Sequence, residues 1–461
     1  MTVLAIYDII IHILCNNSYF LRREGNRLLK THLLRIAALA SAVLLTASAV
    51  LSCTGKENTQ KKISLSWWGG ESRHEATMNA VKAFEEKHED IKLDVKFGAW
   101  DGWEDAMTAA FYAGTQTDIV QINWNWLDVF NSNGNLFLDL NTVSDHLDLS
   151  GYTQAELDPC TFDGALEAVP VSLTGRIFYW NRTVFEKAGL DVPSSLKDLF
   201  TAGEVFRKKL GEDCYPLALA EYDRMMLMVY YLGAQYGKPW IRNGRLNYTR
   251  DEIRKGVEFI DSLEKGHVIP SIAEISGDGS ITFDRSPKWM NGKYAGIFEW
   301  DSAASKYSNA LEGNGDFVVG DYFSDFGRYK GGYSKISLAF AVSKKAEHPE
   351  ECAEFLDFIL NDPEGTALMG VERGIPISRN AVKSCEAAGL LKGIEKEAND
   401  KVLAGTSFSF DIKFEDPKLK TSPEGIYFDA FSGLSYGEYS AEKAAEIISD
   451  GVKKVLGETG K

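Results

Sequence analysis

The sequence predicts an α/β protein large enough for two lobes, and three observations carry that expectation. Short runs of alternating or β-branched residues take turns with stretches of helical period, the pattern of strands joined by crossover helices in a parallel sheet. The chain has 461 residues and 44% hydrophobic content. That length corresponds to about three domain-equivalents, in practice two sizeable lobes or one large domain. The aromatic residues are unevenly placed: six of ten tryptophans (Trp67, Trp68, Trp100, Trp103, Trp124 and Trp126) fall between residues 67 and 126.

The elements follow in order. Ile63 to Trp68 alternates as a strand and Gly69-Gly70 ends it. From Glu71 to Glu89, Ala76, Ala80, Val81 and Phe84 recur at helical spacing. Ile91 to Phe97 is a second strand, Asp101 to Ala113 a second helix with Ala106, Met107, Ala110 and Phe111 on one side, and Gly114 its cap. Thr117 to Ile122 is the third strand. Glu167 to Trp180 reads as one extended, polar-punctuated segment. Helices follow at Thr183 to Gly189, Ser194 to Leu210 and Asp251 to Lys265, the last with Ile253, Val257, Ile260 and Leu263 inward. Tyr294 to Glu299 is a strand that delivers Trp300, Asp301 and Ser302 to its end; Ile336 to Ser343 is another, and a helix from 348 to 360 follows it. No internal repeat, low-complexity segment or long linker interrupts the chain, which favours lobes sharing several crossovers.

The N-terminal region reads as a leader. Arg22, Arg23, Arg27, Lys30 and Arg35 precede the apolar stretch Ile36 to Leu51, then Ser52 and Cys53, the layout of a secretory signal. The apolar stretch is shorter than the ~20 residues a spanning helix needs. Residues 1 to 21 are compatible with an extension upstream of the true start. Cys53, after a small residue and before the polar stretch TGKENTQKK, resembles the modified cysteine of a bacterial lipoprotein, with Leu51 departing from that pattern; simple cleavage nearby is the other reading. The expected product is exported, lipid-anchored to the membrane at Cys53, and otherwise soluble.

Charge and cysteine usage narrow the function. With 50 basic against 66 acidic residues and a net charge of −16, nucleic acid and anionic membrane surfaces are not expected partners. Cys160, Cys214, Cys352 and Cys385 allow three pairings, but widely spaced cysteines in a large domain read as unpaired small apolar residues. Cys352 shares a stripe with Phe355, Leu356 and Ile359. No CxxC or HExxH occurs and the histidines are scattered, so neither a metal nor a cofactor is expected.

Placed on the strands, the tryptophans form three pairs at one sheet edge, where open α/β sheets bind ligands. Each indole alone is equally a core residue, and one of Trp67 and Trp68 should point inward because strand neighbours face opposite ways. Together, three pairs at one edge favour a pocket. Flat aromatic faces suit pyranose rings, and Asp101, Asn123, Asn125 and Arg73 are fork-like groups able to bond hydroxyls. On this reading Trp126→Ala weakens sugar binding without unfolding.

The runs WWGGESRHEAT, GAWDGWEDAMTAAFYAGTQTDIVQINWNWL, PVSLTGRIFYWN, HPEECAEFLDFILNDPEG and GVERGIP resemble family 1 extracellular solute-binding proteins of ABC importers, the sugar-binding group. The resemblance runs in order along the chain after the leader. Within the group, WWGG with RHEAT, NWNWL and VSLTGRIFYWN look closest to the branch that binds pectic oligosaccharides (oligogalacturonides). The resemblance implies a two-lobe periplasmic-binding-protein-like fold of type II with the ligand in the interlobe cleft. It implies an N-lobe of 62–167 and 320–361, a C-lobe of 172–316 and 366–461, a leader over 1–52 and a tether over 53–61. It further implies a monomer that captures an oligosaccharide by hinge closure and passes it to the transmembrane subunits of an ABC permease. Facing the tryptophans would stand Ser172, Thr174, Arg176, Trp300, Asp301 and Tyr333. Arg176 and Arg373 have two readings, ligand contact or a salt bridge bracing the hinge. A uronate ligand would call for a bidentate arginine, with Arg73 and Arg176 nearest. The rival readings are an exported glycan-active enzyme, with Glu299 and Asp301 as its carboxylates, and a binder of a non-sugar solute or chemoreceptor ligand.

Overall fold

The computed structural model describes residues 60–131, 136–279 and 282–458; the leader, Cys53 and most of the tether lie outside them. The first five elements appear as the periodicity predicts. Strand β1 (Lys61–Trp68), helix α1 (Glu71–Lys87), β2 (Ile91–Gly98), α2 (Trp103–Ala113) and β3 (Ile119–Asn123) follow one another. β1 lies between β2 and β3, parallel to both. α1 buries Thr77, Ala80, Val81 and Phe84, with Glu71 in its first turn and Lys87 in its last, charges that complement the helix dipole. α2 stops where Gly114 takes φ 67°, a left-handed conformation that glycine adopts without steric cost.

The extended segment 167–180 is two strands, a difference from the sequence reading. β4 (Val169–Thr174) and β5 (Arg176–Asn181) part at Gly175 and belong to different sheets. The reason is steric. A Cβ on Gly175 would stand 2.5 Å from both the Tyr333 carbonyl oxygen and the Val402 Cγ1, so only glycine lets the chain pass there. β4 joins the large sheet by pairing antiparallel with β8 (Gly332–Val342), which itself pairs antiparallel with β3. β5 is the central strand of a three-stranded antiparallel sheet, between β6 (Gly296–Trp300) and β7 (Phe317–Val319). The large sheet runs β9 (Thr406–Ser409), β8, β3, β1, β2.

Helices complete both halves. The helix Pro349–Leu360 buries Cys352, Phe355, Leu356 and Ile359, as their spacing predicts. The helix Arg250–Lys265 likewise buries its four predicted residues. Sequence periodicity did not reveal the helix Glu221–Tyr236, in which every residue from Arg224 to Tyr230 is buried. A helix enclosed on all sides shows no polar face. Cys160, Cys214, Cys352 and Cys385 are buried and free. No helix among the described residues is long and apolar enough to cross a membrane.

Candidate functional site

The C-terminal ends of β1 and β4 and the end of β6 converge on a cleft of about 570 Å³. From the end of β1 comes Trp68, from the start of α1 Ser72 and Arg73, from the crossover strands Ser172, Leu173 and Leu338, and from the opposite side Asp301, Ser302, Glu395 and Asn399. Glu372 and Arg373 close one end. A further chamber of about 280 Å³ shares Leu173 with the cleft and is lined by Trp124, Thr153, Ser334, Lys335 and Ser409. The two volumes suit an extended ligand better than a single small one.

The tryptophans divide by burial. Trp68 lines the cleft, and its ring meets those of Trp100 and Trp126 at 5.2 Å each. Trp100 is 44% exposed and lies nearly parallel to Trp126, 6.0 Å away at 12°. It is the open face of an aromatic ledge. Trp126 is fully buried beneath it, so its expected ligand contact is corrected to a supporting role: two indoles and Phe130 cover it. Trp67 is also corrected to core. Its ring stacks on Phe97 at 4.9 Å and its Nε1 donates to His74, because it points to the face opposite Trp68. Trp103 packs its ring over Gly98. Trp124 donates its Nε1 to the Pro159 carbonyl at 2.9 Å and faces the smaller chamber. Asp101 is exposed in the turn before α2, and Asn125 is buried with its Oδ1 unpartnered.

The crossover residues form a brace. Arg176 is 3% exposed; its guanidinium holds Asp223, Glu299 and the Phe298 carbonyl. Burial pulls its pKa down, but Glu299 and Asp223 outweigh this and raise it. Its main chain is fixed as well: the N–H donates to the Tyr230 hydroxyl at 3.0 Å, and the carbonyl accepts from the Tyr322 hydroxyl at 2.6 Å. Of the two readings of Arg176 the salt bridge is the one observed: Asp223, Glu299 and the Phe298 carbonyl hold its two terminal nitrogens, and Nε is buried without a partner. Thr174 is buried and donates to Asp301. Tyr333 is 1% exposed, packed on Phe410 at 4.6 Å, with its carbonyl accepting from Tyr230. Both are corrected from ligand contacts: the Thr174 hydroxyl is spent on Asp301, and the Tyr333 ring packs against Tyr230 of the helix Glu221–Tyr236. Ser172 lines the cleft while donating to the Arg373 carbonyl at 2.6 Å.

Trp300 is half-buried with two cations over its ring, Arg176 at 5.0 Å and Lys335 at 4.6 Å, a cation–π contact with each. Lys335 pairs with Glu415, which also takes Lys420. Burial favours the neutral acid, yet the two ammonium groups hold Glu415 down to about 2. Asp301 is buried, which raises its pKa, and accepts from Thr174, Asn399 and the Ser302 N–H. That bonding fixes Asn399, whose Nδ2 also donates to the Leu173 carbonyl at 3.1 Å, with its amide at the cleft wall.

The arginines at the other end differ in kind. Arg73 donates Nε to the Glu372 carbonyl at 2.8 Å and Nη1 to the Trp68 carbonyl at 3.1 Å. Arg373 is 4% exposed and donates to Gln121 Oε1 at 2.7 Å and Thr77 Oγ1 at 3.0 Å. Neither forms an ion pair among the described residues. Burial lowers the pKa of both; the neighbouring Arg73 cation lowers that of Arg373 further, and the Glu372 carboxylate, whose side chain bonds Ser72, works against the fall in each. Two guanidiniums without an ion pair, at one end of a cleft that also holds Glu372, Asp301 and Glu395, can receive an anion. The expected salt bridge at Arg373 is therefore not what holds it. Sequence reading also missed Asn399, Glu395 and Glu372 as lining residues, the first two because they lie on a late helix, Ile394–Gly405, with no local motif.

Residues 70–366 match the model of a family described as bacterial extracellular solute-binding protein. The chain belongs to that family. Two solute-binding proteins of known structure resemble it over 86% of this chain and 99% of theirs, each 30% identical. One is a periplasmic oligogalacturonide-binding protein of Yersinia enterocolitica, in complex with saturated digalacturonic acid, at a TM-score of 0.77. The other is a periplasmic solute-binding protein of Pectobacterium atrosepticum, at 0.79. The maltodextrin-binding protein MdxE of Bacillus subtilis is 20% identical over 83% of this chain and 89% of its own. Putative binding proteins of Brucella abortus are 30% identical over a stretch that spans 33% of their length. As a solute-binding protein of this family the molecule has the two-lobe fold of type II, which places its cleft between the lobes.

Proposed function

We propose that this protein is the lipid-anchored, extracytoplasmic carbohydrate-binding component of an ABC importer and that its ligand is an acidic oligosaccharide of the oligogalacturonide class. The observation that carries this reading is the pair of guanidiniums, Arg73 and Arg373, lining the cleft with no carboxylate among the described residues paired to either. A uronate supplies a carboxylate per sugar ring, and guanidinium forks bind carboxylates in two parallel bonds. The Trp68–Trp100 ledge offers ring faces for pyranose C–H groups, while Asn399, Ser302 and Glu395 meet hydroxyls from the other lobe. The kinship to the Yersinia protein supports the same class.

The reaction is capture, and the lobes do the work. An open form takes the sugar on one lobe, closure adds the contacts of the other, and the ligand shifts the population by its extra affinity for the closed state. The N-lobe (62–167, 320–361) and C-lobe (172–316, 366–461) are the moving bodies, with a hinge around Gly175, a few residues inside that C-lobe bound, where the chain leaves the large sheet for the small one. The closed form is what the permease receives. Catalysis is disfavoured by the two candidate carboxylates: Glu299 is occupied by Arg176, Tyr307 and the Trp300 N–H, and Asp301 by three donors. Neither is free to give or take a proton at a glycosidic oxygen.

Titrating the protein with digalacturonate, maltose and cellobiose while following tryptophan fluorescence tests this. Tight saturable binding of intact digalacturonate with weak response to the neutral sugars is expected. Equal response to all three removes the uronate assignment, and release of monosaccharide at a catalytic rate removes capture.

A further inference from the structure

A second cavity, of about 450 Å³, shares no lining residue with the cleft or its smaller chamber. Tyr322, Phe323, Phe326 and Tyr329 supply its aromatic walls, and Gly331 and Gly405 lie among its backbone lining. The glycines set the rings. A Cβ at Gly405 would stand 2.2 Å from the Tyr322 ring, and one at Gly237 would stand 2.9 Å from the Tyr329 ring, so both tyrosines press against bare main chain. The charges are inverted relative to the acidic chain as a whole: Arg328, Lys330 and Lys401 line the cavity against the single anion Asp321. Lys401 takes Asp321 at 3.2 Å, and Lys330 donates to the Ala404 carbonyl at 3.1 Å. Arg328 and Lys330 form no ion pair among the described residues. A ligand-sized space with flat aromatic walls and uncompensated cations fits a small planar organic anion.

The same walls hold the crossover. Tyr322 donates to the Arg176 carbonyl at 2.6 Å. Tyr230, which also lines the cavity, accepts from the Arg176 N–H and donates to the Tyr333 carbonyl at 2.7 Å. A ligand seated there touches the side chains that fix the main chain of Arg176, just past Gly175, where the chain leaves one sheet for the other. We propose that this cavity is a second ligand site, for a small aromatic carboxylate, whose occupancy stiffens the hinge and so couples to lobe closure. The site stands apart from the sugar assignment and its test does not depend on it.

Isothermal titration of the full-length protein with 4-hydroxybenzoate, beside neutral 4-hydroxybenzamide, reads the site directly. One saturable event is expected, with the amide weaker by about tenfold for want of charge-assisted bonds. Lys330→Glu is expected to weaken the acid by about tenfold or more through charge reversal, while Arg73→Gln in the cleft leaves it unchanged. Tyr329 and Lys330 are exposed, so Tyr329→Ala should lose binding with its melting midpoint retained. Amide hydrogen exchange across residues 174–176 is expected to slow on saturation. Absence of a saturable event, equal affinity for acid and amide, insensitivity to Lys330→Glu, or unchanged exchange at 174–176 each overturns the proposal.

Discussion

Arg73 donates to the backbone carbonyl of Glu372 at 2.8 Å and not to its carboxylate. The bond fixes the guanidinium at the cleft mouth without cancelling its charge, and Glu372 turns its side chain to Ser72. If that charge serves a uronate, Arg73→Gln should raise the digalacturonate Kd by about tenfold to a hundredfold, the weight of a charge-assisted bond. A neutral disaccharide that binds measurably should lose little. A parallel loss for acid and neutral sugars would show that Arg73 positions the wall and does not read charge.

Arg373 carries a sharper version of the same test. Its cation is buried and forms no ion pair among the described residues, which costs stability in the free protein. Arg373→Met is therefore expected to leave the urea midpoint unchanged or higher while digalacturonate binding falls. A large drop in the midpoint would show that the bonds to Gln121 and Thr77 outweigh the desolvation.

The ledge separates two tryptophans that the sequence treats alike. Trp100→Ala removes an exposed face and should weaken sugar binding with stability nearly unchanged. Trp126→Ala removes a buried indole and should cost about 3–5 kcal/mol, read by denaturant titration. This reverses the expectation that Trp126 can be trimmed without unfolding.

Gly175→Ala sets a methyl against the Tyr333 carbonyl and Val402. Overpacking of this kind costs about 1–3 kcal/mol. The hinge should relax toward an open form, lowering sugar affinity and enlarging the radius of gyration measured by small-angle scattering with ligand present. An unchanged radius and affinity would remove Gly175 from the hinge.

Glu415 gives a pH dependence with a defined sign. Its acid form is favoured by burial, but Lys335 and Lys420 hold its pKa at about 2 against an ordinary 4.5. A depressed acid contributes stability that is fully present above the ordinary value and lost as pH falls toward 2, here roughly 3 kcal/mol. Glu415→Gln should flatten that portion of the stability curve between pH 5 and pH 2 and destabilise the protein at pH 7, because it leaves Lys335 buried without its anion. Chemical denaturation at several pH values measures both.

Much of the architecture was legible in the sequence. The helical period of Ala80, Val81 and Phe84, the glycine after Ala113 and the stripe through Cys352 and Ile359 are local signals, set by neighbours within one turn, and each element formed where it was expected. The helix Glu221–Tyr236 was not legible because burial on every side erases the polar face that periodicity needs. The break at Gly175 was not legible either, since what forbids a side chain there is the approach of Tyr333 and Val402, distant in sequence.

The site divides along the same line. By itself the sequence determined the class, the edge of the sheet at which the tryptophans gather, and the residues Trp68, Arg73, Ser172 and Asp301 that line the cleft. Only the tertiary structure decided which indoles are ledge and which are foundation. It also turned Arg176 into a brace while leaving Arg73 and Arg373 without an ion pair among the described residues. Adjacent residues share composition but point to opposite faces, and a guanidinium is spent or free according to which carboxylates the fold brings within reach. Asp223 lies 47 residues from Arg176, and Gln121 and Thr77 lie 252 and 296 residues from Arg373, and no local pattern records such partners.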